Sequence, residues 1–281
     1  RHLRRSGGTT PATPQRRGMT GVSATWMPLS GHLAADEAGS DDAPRFVFLH
    51  GFAQTRESWK PIAERLVDHG AKCVVIDLPG HGGSGSVRAD LRRTADMAVE
   101  IGHRATWVGY SLGGRAALHV ALMYPHLVRS LVLIGANPGI DDEDERARRR
   151  ADDDRLAARI HEIGIEAFLD EWTALPLFGG RTVTADERAD RSRNTADGLA
   201  NSLRLAGTGA QDSLWPRLRE LNMPVLALAG DRDTKFSAIA RQLADAAPRG
   251  EWALVPGAAH AAHLERPDEV VELIRSFSAR A

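Results

Sequence analysis

Gly109-Tyr110-Ser111-Leu112-Gly113-Gly114 follows an apolar run, Ala105 to Val108, and precedes a helical pattern from Arg115 to Met123. A G-x-S-x-G between a strand and a helix predicts a sharp turn that lifts a serine nucleophile above a sheet edge. So tight a turn has no room for a Cβ at the flanking glycines, and the serine itself sits at a strained backbone angle. The N-terminus of the following helix favours negative charge developing at Ser111.

Working outward, short apolar runs alternate with helical patterns. Phe46–Leu49, Lys72–Asp77, Ala105–Val108, Leu131–Ile134, Val225–Ala229 and Trp252–Val255 read as buried strands. Trp59–Asp68, Leu91–Ile101, Arg115–Met123 and Pro267–Ala279 have helical spacing. Such alternation predicts an α/β fold whose mostly parallel sheet is covered by helices on both faces. The rhythm breaks between Pro138 and about Leu214, where only charged helical patterns occur: Glu143–Ile160, Glu166–Ala174 and Ala185–Leu205. An insertion there would sit over the strand C-termini, where ligands bind in open α/β sheets. The expected organisation is an α/β core of residues 19–137 and 216–281 with a helical lid at 138–215.

Ahead of the core, residues 1–18 are basic, rich in Gly, Thr and Pro, and lack the apolar stretch of a secretion signal. They are expected to be a disordered extension, with Met19 a candidate natural start. Residues 20–34 are expected to form an early edge strand or hairpin, and 35–44 a polar turn. A chain of 281 residues suits one large domain with an inserted subdomain. Net charge is −1, which supports neither nucleic acid nor a membrane surface as partner, and no apolar stretch is long enough to span a bilayer. The expected location is the cytoplasm; the sequence leaves the oligomeric state open and is compatible with a monomer. The single cysteine, Cys73, excludes an internal disulfide and a cysteine-based metal site, and its apolar neighbours mark it as a core residue. Only Lys60, Lys72 and Lys235 are lysines, so almost every base is arginine, whose planar fork suits carboxylates.

Two further groups follow later strands in an order that completes a triad. Gly230-Asp-Arg-Asp233 comes after Val225–Ala229, and Gly257-Ala-Ala-His260 after Trp252–Val255. A serine needs a base to take its proton, and the base needs a carboxylate to fix its tautomer. Asp233 and His260 each stand three residues past a glycine and are assigned as acid and base. Asp231 is the alternative acid, and His263 a contact of the lid or surface. His50-Gly51-Phe52 follows the first core strand, so the backbone N–H groups of Phe52 and Leu112 are the expected oxyanion donors. His50 reads as structural or pocket-lining. Asp77-Leu-Pro-Gly-His-Gly-Gly-Ser84 is a tight turn at the site rim; it lacks the G-K-[ST] of a phosphate-binding loop. Arg115, four residues after Ser111, falls one helical turn on and faces the pocket.

Over about residues 45–275 the chain resembles the MenH family, within the α/β-hydrolase superfamily. The resemblance is carried by His50-Gly-Phe52, Gly109-Tyr-Ser-Leu-Gly-Gly-Arg115, Asn137-Pro-Gly139, the arginine-rich run Glu145–Arg150, Phe168-Leu-Asp-Glu-Trp172 and Pro176-Leu-Phe178. Gly207-Thr-Gly-Ala-Gln-Asp-Ser-Leu-Trp215, Gly230-Asp-Arg-Asp-Thr-Lys-Phe236 and His260-Ala-Ala-His263 complete it. It implies a lyase of menaquinone biosynthesis that eliminates pyruvate from a small tricarboxylate, with no cofactor, no metal and no acyl-enzyme. It also implies that Arg115, Arg149 and Arg191 bind substrate carboxylates and that Tyr110, Trp172 and Phe178 line the pocket. Arg146 and Arg193 stand as alternatives to Arg149 and Arg191. The Asp-rich stretch Ala151–Asp154 departs from the family and is expected to lie apart from the chemistry. The other readings of the same triad are a serine hydrolase of a carboxylate-bearing ester or C–C bond, a cofactor-free haloperoxidase, and a ligand-binding domain without turnover.

Overall fold

In the computed structural model, residues 24–281 are described, so the expectation for 1–18 lies outside them. Eight strands among these residues form one sheet: β1 (Met27–Leu29), β2 (Ala35–Ala38), β3 (Arg45–Leu49), β4 (Lys72–Ile76), β5 (Ala105–Tyr110), β6 (Val128–Ile134), β7 (Val225–Gly230) and β8 (Gly250–Val255). Their spatial order is β1-β2-β4-β3-β5-β6-β7-β8. β2 runs antiparallel to both β1 and β4; every later pairing is parallel. β4, β5 and β7 are buried along their whole length, which explains why they read as continuous apolar runs rather than alternating ones.

The two-residue period of a strand sorts its side chains between two cores. Val47, Leu49, Val74, Ile76 and Trp107 pack on one face with α2 (Leu91–Gly102), α3 (Leu112–Met123) and α7 (Thr234–Ala246). Phe46, Phe48, Cys73, Val75 and Val108 pack on the other with α1 (Lys60–Asp68) and α9 (Pro267–Ser278). Cys73 is fully buried, and burial alone pushes its thiol pKa up, as suits an inert core residue.

The stretch 35–44, expected as a polar turn, instead begins with β2. Ala35 and Ala38 are buried, and the intervening charges are neutralised. Asp36 lies 2.8 Å from Arg56 and 3.3 Å from Lys60, and Glu37 lies 3.0 Å from Lys72. Partners far along the chain thus make a strand of Ala-Asp-Glu-Ala. The helix after the G-x-S-x-G starts three residues earlier than its periodicity suggests, at Leu112, and β5 runs on to Tyr110. Ser111 alone separates them.

Between β6 and β7 lie α4 (Glu143–Thr173), α5 (Ala185–Arg191), α6 (Ala196–Ala206) and no strand. α4 breaks at Gly164 (φ 79°, ψ 166°), near the gap between the two helical patterns predicted there. α5 starts on a capping box, with Thr184 and Glu187 each satisfying the other's backbone N–H. The insertion has its own small core, in which Ala157, Ile160, Phe168, Leu199 and Leu203 close over Ala53. α8 (Ala262–Glu265) follows β8. No helix among the described residues is long and apolar enough to cross a membrane.

Candidate active site

Ser111 has φ 50° and ψ −108°, a left-handed value that a residue with a Cβ adopts only under constraint. The constraint is steric. A Cβ on Gly113 would stand 2.0 Å from the Leu49 carbonyl oxygen, and one on Gly109 2.3 Å from that of Gly113. Strand β3, the turn and α3 can approach this closely only with glycine at both places. The Ser111 N–H is anchored to the Ile134 carbonyl at 2.9 Å.

β7 and β8 deliver the two other groups. His260 Nδ1 lies 2.8 Å from Asp233 Oδ2, and His260 Nε2 lies 3.5 Å from Ser111 Oγ, at the long end of a hydrogen bond. The second oxygen of Asp233 accepts from the Phe236 N–H at 3.1 Å and so caps α7, which fixes the carboxylate plane. Asp231, the alternative acid, is exposed and accepts from the Gly257 N–H at 2.8 Å, away from His260. His260 packs against Phe236 and Tyr110, with ring centroids 4.3 and 5.3 Å away. Gly135 clears its edge: a Cβ there would lie 2.9 Å from the imidazole. His263 does not reach Ser111. It is buried between Trp59 and Tyr110, centroids 4.6 and 4.2 Å away, and burial holds its pKa well below the usual imidazole value.

Neither the Phe52 nor the Leu112 N–H finds an acceptor among the described residues. The turn bearing Phe52 is braced by two histidines, His50 and His81. His50 Nδ1 donates to the Gly51 carbonyl at 2.8 Å, and its Nε2 accepts from the Leu78 N–H at 3.0 Å. His81 Nε2 accepts from the Ala53 N–H at 3.2 Å. Burial lowers their pKa values to about 4 and about 3, so both are neutral near pH 7 and hold one tautomer. Ala53 has φ 59°, a second strained non-glycine residue beside the site.

These groups open onto a cavity of about 180 Å³. Tyr110, Trp172, Phe178 and Phe236 form its aromatic wall. Arg115, Arg149 and Lys235 bring three positive charges, and no carboxylate lines it among the described residues. Arg115 is buried; its Nη1 donates to the Ala206 carbonyl at 2.7 Å and to Gln211 Oε1 at 3.3 Å. Burial, with Arg149 nearby, brings its pKa down to about 10, still charged at neutral pH. Arg149 Nε donates to Asp153 Oδ1 at 2.8 Å, and Asp153 Oδ2 accepts from the Gly209 N–H at 3.2 Å. Asp153 thus corrects the expectation that Ala151–Asp154 lies apart from the site: one of its carboxylates orients a cavity arginine. The Gly207-Thr-Gly209 run has the same origin, since a Cβ on Gly207 would fall 2.5 Å from Asp153 and one on Gly209 2.3 Å from the Arg150 nitrogen.

Arg191 is a further correction. It is buried but does not line this cavity; Nη1 donates to the Ala53 carbonyl at 3.0 Å behind the Phe52 turn. The short helix α5 docks on that turn and aims Arg191 at it. Arg193 lies outside the cavity too, 3.4 Å from Glu57, and Arg146 turns to the Ile140 carbonyl at 3.4 Å. Lys235 and Phe236 also line the cavity, beyond the residues expected from the sequence. Their signal was their place directly after the candidate acid, at the start of α7. Among the described residues, no three His, Cys, Asp or Glu side chains converge so as to hold a metal ion.

Residues 46–273 match the model of the alpha/beta hydrolase family. The Salmonella paratyphi C enzyme named 2-succinyl-6-hydroxy-2,4-cyclohexadiene-1-carboxylate synthase is 36% identical over 248 residues, covering 83% of this chain and 93% of that one. A Bacillus subtilis relative is 36% identical over 260 residues, 88% of this chain and 94% of its own length. The solved structure of MenH from S. aureus superposes with a TM-score of 0.80 at 31% identity, covering 88% of this chain and 98% of that one. The chain therefore belongs to the alpha/beta hydrolase family and, within it, to the MenH family.

Proposed function

We propose that the protein is a carbon–oxygen lyase of menaquinone biosynthesis. It eliminates pyruvate from 2-succinyl-5-enolpyruvyl-6-hydroxy-3-cyclohexene-1-carboxylate and yields 2-succinyl-6-hydroxy-2,4-cyclohexadiene-1-carboxylate. The observation that carries this reading is the pairing of a serine–histidine–aspartate set with a cavity that, among the described residues, has three cations and no carboxylate. A substrate with three carboxylates matches that charge.

Ser111, deprotonated by His260, removes a ring proton activated by the succinyl ketone. Asp233 stabilises the imidazolium that forms and keeps Nε2 directed at Ser111. The ketone oxygen takes up the negative charge as an enolate between the Phe52 and Leu112 N–H groups. The enolate electron pair then forms the C2=C3 double bond, the existing C3=C4 pair moves to C4=C5, and the carbon–oxygen bond from C5 to the enolpyruvyl group breaks. The leaving enolate is protonated on carbon to give pyruvate, so the ring proton lost balances the proton gained. Arg115, Arg149 and Lys235 hold the carboxylates, and Tyr110, Trp172 and Phe178 pack the ring. The helical insertion serves as the lid that excludes water, and the reaction belongs in the cytoplasm.

The decisive experiment mixes purified protein with enzymatically made substrate and follows pyruvate together with the conjugated-diene absorbance. Stoichiometric appearance of both, lost in Ser111→Ala, supports the lyase. Pyruvate at no more than the spontaneous rate removes it and favours hydrolysis of a carboxylate-bearing ester or C–C bond.

A further inference from the structure

The turn that carries the Phe52 N–H is held from the insertion as well as from the sheet. Arg191 Nη1 donates to the Ala53 carbonyl at 3.0 Å. Its neighbour Asp190 accepts from the Thr55 N–H at 3.3 Å and from the Thr55 hydroxyl. Thr55 in turn caps the short 3-10 turn Arg56–Trp59, its hydroxyl oxygen accepting from the Glu57 N–H at 3.3 Å. Three residues on, Asn194 donates to the Arg191 carbonyl at 2.9 Å and accepts from the Gly82 N–H at 3.0 Å. Gly82 follows His81, whose ring accepts the Ala53 N–H. A ring of contacts therefore runs from the Ala53 carbonyl through Arg191, Asn194 and the 81–82 loop back to the Ala53 nitrogen.

Two features give the ring a purpose beyond packing. Ala53 stands at φ 59°, where a residue with a Cβ stays only if both its polar groups are held. Arg191 is buried with an unpartnered Nε, and burial outweighs the favourable but non-contacting charges of Glu187 and Asp190, so its pKa is lowered. A buried guanidinium without a contacting counter-ion is costly, so its retention points to the one bond it makes.

We infer that Asp190 and Arg191 form a latch by which the insertion sets the oxyanion-hole turn and aims the Phe52 N–H. The inference rests on the reading of that N–H as an oxyanion donor. Arg191 is then a positioning residue acting through Ala53.

Hydrogen exchange followed by mass spectrometry tests the latch without any substrate. Arg191→Met keeps the bulk and removes the donor. Peptides spanning residues 50–57 should exchange about tenfold faster or more, with β5 and β6 peptides unchanged, because the opening is local. In turnover, kcat should fall about tenfold or more at a KM within about threefold, the pattern of a lost transition-state interaction. Arg191→Lys, which retains a donor, should recover most of both losses. Asp190→Asn is the milder variant if Arg191→Met does not fold, and it should shift the same peptides. Unchanged exchange in a folded variant overturns the latch whatever happens to activity. So does a raised KM at unchanged kcat, which would make Arg191 a direct substrate contact. A wild-type protein that releases no pyruvate overturns the proposed reaction instead, and the exchange result still decides the latch.

Discussion

On the sheet side of the cavity, position is dictated by backbone: Ser111 has one place to go because Gly109 and Gly113 let three chain segments touch. On the insertion side, position comes from hydrogen bonds made by side chains: Arg149 to Asp153, Asp190 to Thr55, Arg191 to the Ala53 carbonyl. A backbone-built wall tolerates no substitution at its contacts but needs few residues. A wall built from side-chain bonds can be lost one contact at a time, and its ion pairs are partly exposed; Arg149 keeps 42% of its side chain in solvent.

The largest effect should come from the sheet side. Ser111→Ala should lower kcat on the order of 10⁴-fold or more, with KM nearly unchanged, in the pyruvate assay. An active Ser111→Ala enzyme would move the base elsewhere. Gly113→Ala should fold poorly or not at all, because the added carbon meets main chain that cannot give. A loss of about 3 kcal/mol or more in urea unfolding is expected, and a change below 1 kcal/mol would break the backbone half of the comparison.

Intermediate effects belong to the cations. Arg115→Ala should reduce kcat/KM about 10- to 100-fold, the range of a charge-assisted hydrogen bond in a desolvated site. Arg149→Ala should cost about 3- to 10-fold, less because solvent screens an exposed partner. Equal losses for the two would erase the predicted difference between a buried and a half-exposed contact. Asp153→Asn should mimic Arg149→Ala in KM if its role is to orient that arginine.

The last effect is one of stability rather than turnover. His50 has a pKa lowered to about 4 and His81 to about 3, both chiefly by burial. Each is neutral when folded and takes a proton more readily when unfolded. Their contribution is therefore complete above about pH 6.5 and falls as pH drops toward 4. The urea midpoint should decline steadily between those values. A midpoint flat from pH 7 to 4.5 would contradict the neutral braces around the Phe52 turn.

The same contrast governs what the sequence reveals. The parallel strands and the Ser111, Asp233 and His260 constellation were legible because a buried strand must be apolar and a tight turn must contain glycine. Asp233 could be chosen over Asp231, but only the Phe236 and Gly257 N–H groups explain why the two carboxylates face apart. β2 was hidden because its charges are neutralised by Arg56, Lys60 and Lys72, residues far along the chain. Arg191 was misplaced for a related reason. In a chain with so many arginines, spacing cannot tell one that faces a cavity from one that holds a carbonyl. Asp153 was overlooked because an acidic run looks solvated until its one buried member is identified.

Gly164 has an implication for redesign. A Cβ there would meet nothing within 4 Å, so glycine is required by its φ of 79° and not by crowding. The long helix is thereby two rods joined at one residue. The first carries Arg149 and Asp153; the second carries Phe168 and Trp172, which pack against Phe52 with centroids 6.3 and 5.1 Å away. The charged and aromatic walls thus hang from different rods, which meet in the small core of Ala157, Ile160 and Phe168. Grafting residues 165–179 from a relative would recast the shape of the pocket around the ring while the carboxylate anchor stayed with its Gly207–Gly209 loop.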